Sequence, residues 1–489
     1  MKKLLILLVI MISGLSFIAC EDALTEEPEG VLVQETFYQN EADALSALTA
    51  VYSVFDRGNG FPTIWFMALL ENRAEYSNGR GSQIPMSIYD TPLDKSNQSR
   101  VFNCYNDIYI GINRANAVLD NVAGIDMDET LRSQYLAEAR FLRAFFYSNL
   151  VKYWGGVPIR DKEFTDLAQV PQPRASVAET WAFIIEDLQI AIPELASSFS
   201  ESESGRATSW AGKMLLADTY LNTENWQAAM DLADDVIVNG PFSLIEVQEA
   251  DDFMQIYGPD VVTHQEDIWS AHHSATNGQQ IPTFIHDGNL GYSVGGFRAW
   301  LPVENSILGS WDTNDFRQEF NIYTFRVIEG DTIFVNAQTP VLFRKYRDPD
   351  AADNVNARNN IPFFRLPEAY LIYAEASSEA NGGPDALALE RLNIVRRRGY
   401  GMDLNSPSPQ DYGMGLSASD FKDRVLDERA YEFVLEMKRW NDLLRTGRAQ
   451  EVIEATGKVW DDVSLLFPIP INEINNNPAL SPSDQNPGY

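Results

Sequence analysis

The stretch TSWAGKMLLADTYLNTENWQAAMDLADDVIVN, residues 208–239, decides the fold. Its apolar residues recur at helical spacing on either side of a short polar turn, which predicts two close antiparallel helices over 208–223 and 226–239. Ala217 on the first and Ala229 on the second are small where the two helices must approach, Tyr220 supplies bulk, and Trp226 stands on the turn side. A small side chain on each helix lets the pair interlock, and a larger one would force them apart. The same spacing of twelve recurs at Ala374 and Ala386, between helices expected over 364–380 and 384–398. Roughly a hundred residues of different character intervene, so the two pairs are not in tandem.

The pair resembles a tetratricopeptide (TPR) unit. Outward from it the chain reads as mainly α. A helix is expected over 36–55 with Thr36 as its cap, another over 101–122, and the strongest over 131–154. There Tyr135, Ala139, Leu142, Phe146, Leu150 and Tyr153 form one apolar stripe, and Gly155-Gly156 supplies the stop. A further amphipathic helix covers 176–196, and a last long one 418–445. Between the predicted pairs, residues 251–353 are rich in Gly, Asn, Asp and aromatics, with short β-like runs at 332–335 and 341–346. The expected architecture is a TPR-like helical-pair scaffold with an inserted irregular lobe containing short β-strands.

The amino terminus is a secretory signal. Lys2 and Lys3 precede an apolar run from Leu4 to Ile12, which is too short and wrongly flanked to span a bilayer. Phe17-Ile18-Ala19-Cys20 resembles a bacterial lipobox, in which Cys20 is acylated and becomes the new terminus, although Leu is usual where Phe17 stands. Glu21-Asp22 resembles the acidic tag of surface-exposed lipoproteins. The alternative is an ordinary secreted protein with a chance cysteine. Residues 1–19 are thus expected to be the signal, 20–35 an acidic linker, 36–240 an N-terminal helical region and 241–489 a C-terminal region including the lobe.

Composition narrows the function. With 45% hydrophobic and 22% charged residues the chain is globular, and its net charge of −33 repels nucleic acid, whose binding needs Lys and Arg to displace counterions. The same charge disfavours anionic ligands unless a local basic pocket overcomes it. Only two cysteines occur, so with Cys20 acylated Cys104 has no partner, and it reads as a buried structural thiol. The four histidines, His264, His272, His273 and His286, lack metal-site spacing. Asp348, Asp350, Asp353 and Asn354 suggest calcium but lack the glycine and closing Glu of an EF-hand, so a solvated turn is the simpler reading. No metal or cofactor is expected.

Four further segments together resemble the SusD/RagB family of surface glycan-binding lipoproteins. They are EARFLRAFFY at 138–147 leading to YWGGVP at 153–158, and RLPEAYLIYAEA at 365–376 leading to LNIVR at 392–396. The others are ERAYEFVLEMKRWNDLLR at 428–445, and FPIPINEI at 467–474 ending in QNPGY at 485–489. The resemblance implies a helical scaffold with a variable lobe carrying the ligand site. It also implies an oligosaccharide ligand, a lipid anchor in the outer membrane, a SusC-like TonB-dependent transporter as partner, and no catalysis. Met437 departs from the pattern, standing where Gly is usual before Lys438-Arg439, with little functional consequence expected because this helix reads as structural.

Glu428, Glu432 and Glu436 recur at intervals of four. Two such carboxylates could serve glycoside hydrolysis only if they faced each other across a cleft, whereas neighbours on one helix project side by side. A charge-balanced network with Arg396, Arg397 and Arg398 is expected instead. A glycan site needs flat rings for the C–H faces of sugars and planar polar groups for their hydroxyls. Two segments combine these. One is Asn72, Arg73, Tyr76, Asn78 and Arg80 in a long Gly-, Asn- and Ser-rich loop over 57–100. The other is Asp287, Asn289, Tyr292, Phe297, Arg298 and Trp300. Trp154, Trp210 and Trp226 are assigned to packing. The rival readings are a surface glycoside hydrolase and a TPR scaffold that binds peptide or protein nutrients.

Overall fold

The structure, a computed structural model, describes residues 37–286, 299–300, 309–323, 325–328, 330–334, 342–353 and 355–489. The expected signal, Cys20 and the expected linker lie outside them. Helix α1 (Glu41–Tyr52) begins at Glu41 because the Asn40 side chain accepts from the Ala42 and Asp43 N–H groups. Helix α2 (Ile64–Glu71) corrects the expectation of a continuous loop over 57–100: IWFMALLE is buried almost throughout. Helix α3 (Lys95–Asn121) starts six residues ahead of its expected position, at the Asp94 cap. Helix α4 (Glu129–Trp154) ends at Gly155, whose φ of 74° no side chain adopts readily. Helix α5 (Val177–Ala191) opens on a capping box of Ser176 with Glu179. The deciding stretch folds as α6 (Ser209–Asn222) and α7 (Trp226–Asn239), with Ala217 and Ala229 fully buried.

After the lobe come α8 (Leu366–Asn381), α9 (Ala386–Gly399), α10 (Ala418–Glu432) and α11 (Arg439–Arg445). Each helix packs on the next from α3 to α7, and α7 then packs along α8, which carries α9 and α10. The two helical pairs, distant in sequence, therefore stack in space. Ala374 is buried as expected, but Ala386 is not the matching contact. The Asp385 cap makes Ala386 the first helical residue and leaves it exposed, and Ala388 fills the interface. At the α3–α4 crossing Gly111 has no alternative, because a Cβ there would lie 2.4 Å from Cε2 of Phe146.

The lobe hangs from an antiparallel pair, β2 (Asp267–Ala271) with β8 (Ile361–Arg365), in which Asp267 faces Arg365. Among the described residues there are three more two-stranded pairings. These are β1 (Asn78–Gly79) with β3 (Ala299–Trp300), β4 (Ile322–Tyr323) with β7 (Leu342–Phe343), and β5 (Phe325–Ile328) with β6 (Asp331–Phe334).

The expected single helix over 418–445 is two, and the break has a cause. Leu435 and Met437 both sit in the left-handed region, at φ 61° and 60°, which ends α10 and turns Glu436 inward. Positive φ at Met437 is also the physical reason a glycine suits that position. Glu436 then accepts from Arg365 Nη2 at 2.8 Å, Lys345 Nζ at 2.6 Å and the Tyr257 hydroxyl at 2.7 Å. Glu432 pairs with Arg365 at 2.9 Å, with Arg317 at 3.2 Å and with Arg398. Glu428 takes Arg317 at 2.6 Å and Arg396 at 3.5 Å. Arg397 departs from the expected network and binds Glu390 and Asp411 instead. Burial opposes ionised Glu432, but Arg398, Arg365 and Arg317 together hold its carboxyl well below the usual range. Since Arg317 and Lys345 come from the lobe, this buried network fastens lobe to scaffold.

Candidate functional site

The loop after α2 divides in two. Asn72, Arg73 and Tyr76 are buried and frame it from inside. Asn72 Oδ1 accepts from the Ser77 hydroxyl at 3.1 Å, and the Asn72 carbonyl accepts from the Ser87 hydroxyl at 2.9 Å. The Tyr76 hydroxyl donates to Glu71, whose other oxygen accepts from the Met437 N–H at 2.6 Å. Burial pushes the Glu71 carboxyl up to about 7, partly offset by these two donors. The Arg73 guanidinium lies over the rings of Tyr89 and Trp440, at 5.5 and 6.0 Å from their centroids.

Beyond this frame the loop emerges: Asn78 is half-buried and Arg80 exposed. Gly79 is required, because a Cβ would fall 2.0 Å from the Gln83 carbonyl oxygen, and its N–H donates to the Ser87 hydroxyl at 2.7 Å. Asn78 pairs with Trp300, and Gly79 with Ala299, in antiparallel register. The two segments singled out from sequence thus meet, at their ends, across one strand pair. Asp287, Asn289, Tyr292, Phe297 and Arg298 lie outside the described residues.

A third segment, which the sequence reading missed, closes the same corner. Lys458 Nζ donates to Asn78 Oδ1 at 2.6 Å and stands 5.2 Å from the Tyr89 ring centroid. Trp460, half-buried, stacks on Tyr89 with centroids 6.0 Å apart and planes at 21°. The Asp461 N–H donates to the Tyr89 carbonyl at 2.9 Å, which fixes this register. Burial brings the Lys458 ammonium down to about 8. The available signal was the extended run Lys458-Val459-Trp460 after Gly457, too short for periodicity to stand out.

The arrangement offers flat rings and planar amides at a surface rim. Among the described residues it offers no paired carboxylates: Glu428, Glu432 and Glu436 are buried and engaged by the cations described above. Asp348 is likewise committed, to Arg358 at 2.7 Å. His272 lies near Asp267, and the His273 side chain is buried, where desolvation lowers its imidazole to about 4. Among the described residues no group of three or more His, Cys, Asp or Glu could hold a metal ion. Cys104 is fully buried, which pushes its thiol up. A separate cavity of about 630 Å³ opens between the start of α3 and the C-terminal segment, lined by Lys95, Phe102, Pro470 and Tyr489.

Comparison with known proteins agrees along the whole chain. A family model described as the SusD family matches residues 303–489, and one described as starch-binding associating with outer membrane matches residues 67–221. A SusD-like protein of Formosa agariphila is 26% identical over 97% of this chain and 97% of its own length. The crystal structure of a SusD homologue from Bacteroides thetaiotaomicron superposes with a TM-score of 0.78 at 22% identity, over 93% of this chain and 98% of that one. A laminarin-binding SusD-like protein superposes with a TM-score of 0.74 at 24% identity, over 92% of this chain and 100% of that one. With its TPR-like helical fold, its two matching models and its full-length relatives, this chain belongs to the SusD/RagB family.

Proposed function

We propose that the protein is a non-catalytic receptor that captures an oligosaccharide at the cell surface and passes it to a SusC-like TonB-dependent transporter, tethered to the outer membrane through acylated Cys20. The observation that carries this reading is the pairing of Asn78 with Trp300, which joins the two polar–aromatic segments at one rim. The laminarin-binding relative supports a saccharide as the ligand class. In this reading Asn78, Arg80 and Trp300 contact the glycan with Asp287, Asn289, Tyr292, Phe297 and Arg298, while Asn72, Arg73 and Tyr76 hold the loop in shape.

Titration calorimetry of the mature chain against a panel of oligosaccharides, beside a peptide library, tests the proposal. At least one saccharide binds, and Trp300→Ala or Tyr292→Ala weakens it by roughly tenfold, the scale of one lost aromatic contact. New reducing ends on incubation, or peptide binding without saccharide binding, would overturn the reading. The transporter co-purifying with the wild-type chain from outer membranes is the expected result for the partnership.

A further inference from the structure

We propose that Lys458, with Asn78 and Trp460, forms a subsite for the acidic group of an anionic glycan, a uronate carboxylate or a sulfate ester. The inference rests on the saccharide-receptor reading and sharpens its ligand class.

Alternation along the extended run puts Lys458 and Trp460 on one face, where both meet Tyr89, and turns Val459 outward with 65% of its surface exposed. A ring and a cation two residues apart on one face suit a sugar whose C–H face packs on Trp460 while an acidic substituent reaches the ammonium.

The charge pattern points the same way. Acidic residues outnumber basic ones 70 to 37, and half-buried lysines elsewhere have carboxylate partners: Lys152 with Asp218, Lys213 with Asp235, Lys438 with Glu368. Lys458 donates to a neutral amide oxygen instead, and among the described residues it forms no ion pair. Arg73, on the same Tyr89 ring, forms none either, and its Nε and Nη1 have no hydrogen-bond partner among the described residues. The neighbouring carboxylate, Glu75, is taken by Arg439 at 2.6 Å. Among the described residues, two cations on one ring therefore have no carboxylate in contact, Glu75 acting on Lys458 only from a distance, in a chain that has anions to spare. An acidic ligand supplies the missing charge, and the basic corner is what admits it to an otherwise repelling surface.

The test is calorimetry of the mature protein with a mannuronate tetramer, a sulfated galactose tetramer and neutral laminarihexaose. An acidic oligomer binds, and its affinity falls roughly tenfold between ~50 and ~500 mM sodium chloride as the contact is screened. Lys458→Met weakens acidic-oligomer binding by roughly tenfold or more and Lys458→Arg retains most of it, while any laminarihexaose binding loses far less than the acidic oligomer's. The salt dependence of the wild type tests the proposal even if Lys458→Met fails to fold. Binding of the neutral oligomer alone, or acidic binding indifferent to salt and to Lys458→Met, sinks the subsite and leaves the receptor reading standing. No binding of any saccharide in the wider panel sinks both.

Discussion

Glu71 is a buried carboxyl whose protonation the fold controls. Its folded value of about 7 lies above its ordinary 4.5, so between those pH values the native state holds a proton that the unfolded chain has released. Stability from this group is therefore fullest below pH 4.5 and falls as pH rises toward 7, by about 3 kcal/mol in all. Urea titrations from pH 4.5 to 8 are expected to show that loss in the wild type and a flatter profile in Glu71→Gln. Asp442 runs the other way. Burial would raise it, but Arg429 and Arg445 hold it at about 2, so its contribution is present above pH 3.8 and lost as pH falls through 2. Neither behaviour was legible beforehand, because burial at residue 71 follows from recognising α2. The seven apolar residues IWFMALL, with Glu71 after them, sit inside a Gly- and Ser-rich stretch whose composition reads as loop. With α2 in place, Asn72, Arg73 and Tyr76 emerge from the core and face inward; without it they look like a polar loop. Asn78 and Arg80, further from the helix, reach the surface as their composition suggests.

At the level of elements, the helical pairs were readable because a 3.6-residue period survives any context, whereas the α10–α11 break depends on partners distant in sequence. Glu436 turns inward to meet Arg365 and Lys345, which no local pattern announces. Arg365 also pairs with buried Glu266 at 3.2 Å, so Arg365→Met leaves Glu266, Glu432 and Glu436 short of a buried cation. A loss of about 3–5 kcal/mol is expected in chemical denaturation. Gly111→Ala isolates a helix crossing. Alanine improves helix propensity by about 1 kcal/mol, but its Cβ collides with the Phe146 ring. A net destabilisation of about 1–3 kcal/mol is expected, recovered in part by pairing the change with Phe146→Leu in a double-mutant cycle.

For the whole molecule, order along the chain carried more than any single motif. The helical pairs and the terminal segments form one sequence of landmarks, and the family models over residues 67–221 and 303–489 fall along it. The site was only half legible for a related reason: the rim is assembled from three segments that meet through backbone pairing, and the third, around Lys458, shares no motif with the others. Anchoring is tested at this scale. Cys20→Ala expressed in the native host is expected to leave the membrane pellet and appear in the soluble fraction, while radiolabelled palmitate marks only the wild type.

The pairing of β2 with β8 has a consequence for how such proteins diversify. Because Asp267 faces Arg365, the chain leaves the scaffold and returns to it at neighbouring points. Everything between those points is therefore expected to be exchangeable as one cartridge without altering helix order or the stacking of α7 on α8. Its plug is ionic: a grafted lobe must bring its own counterparts of Arg317 and Lys345, or the acidic socket in the scaffold is left live and the graft rejected.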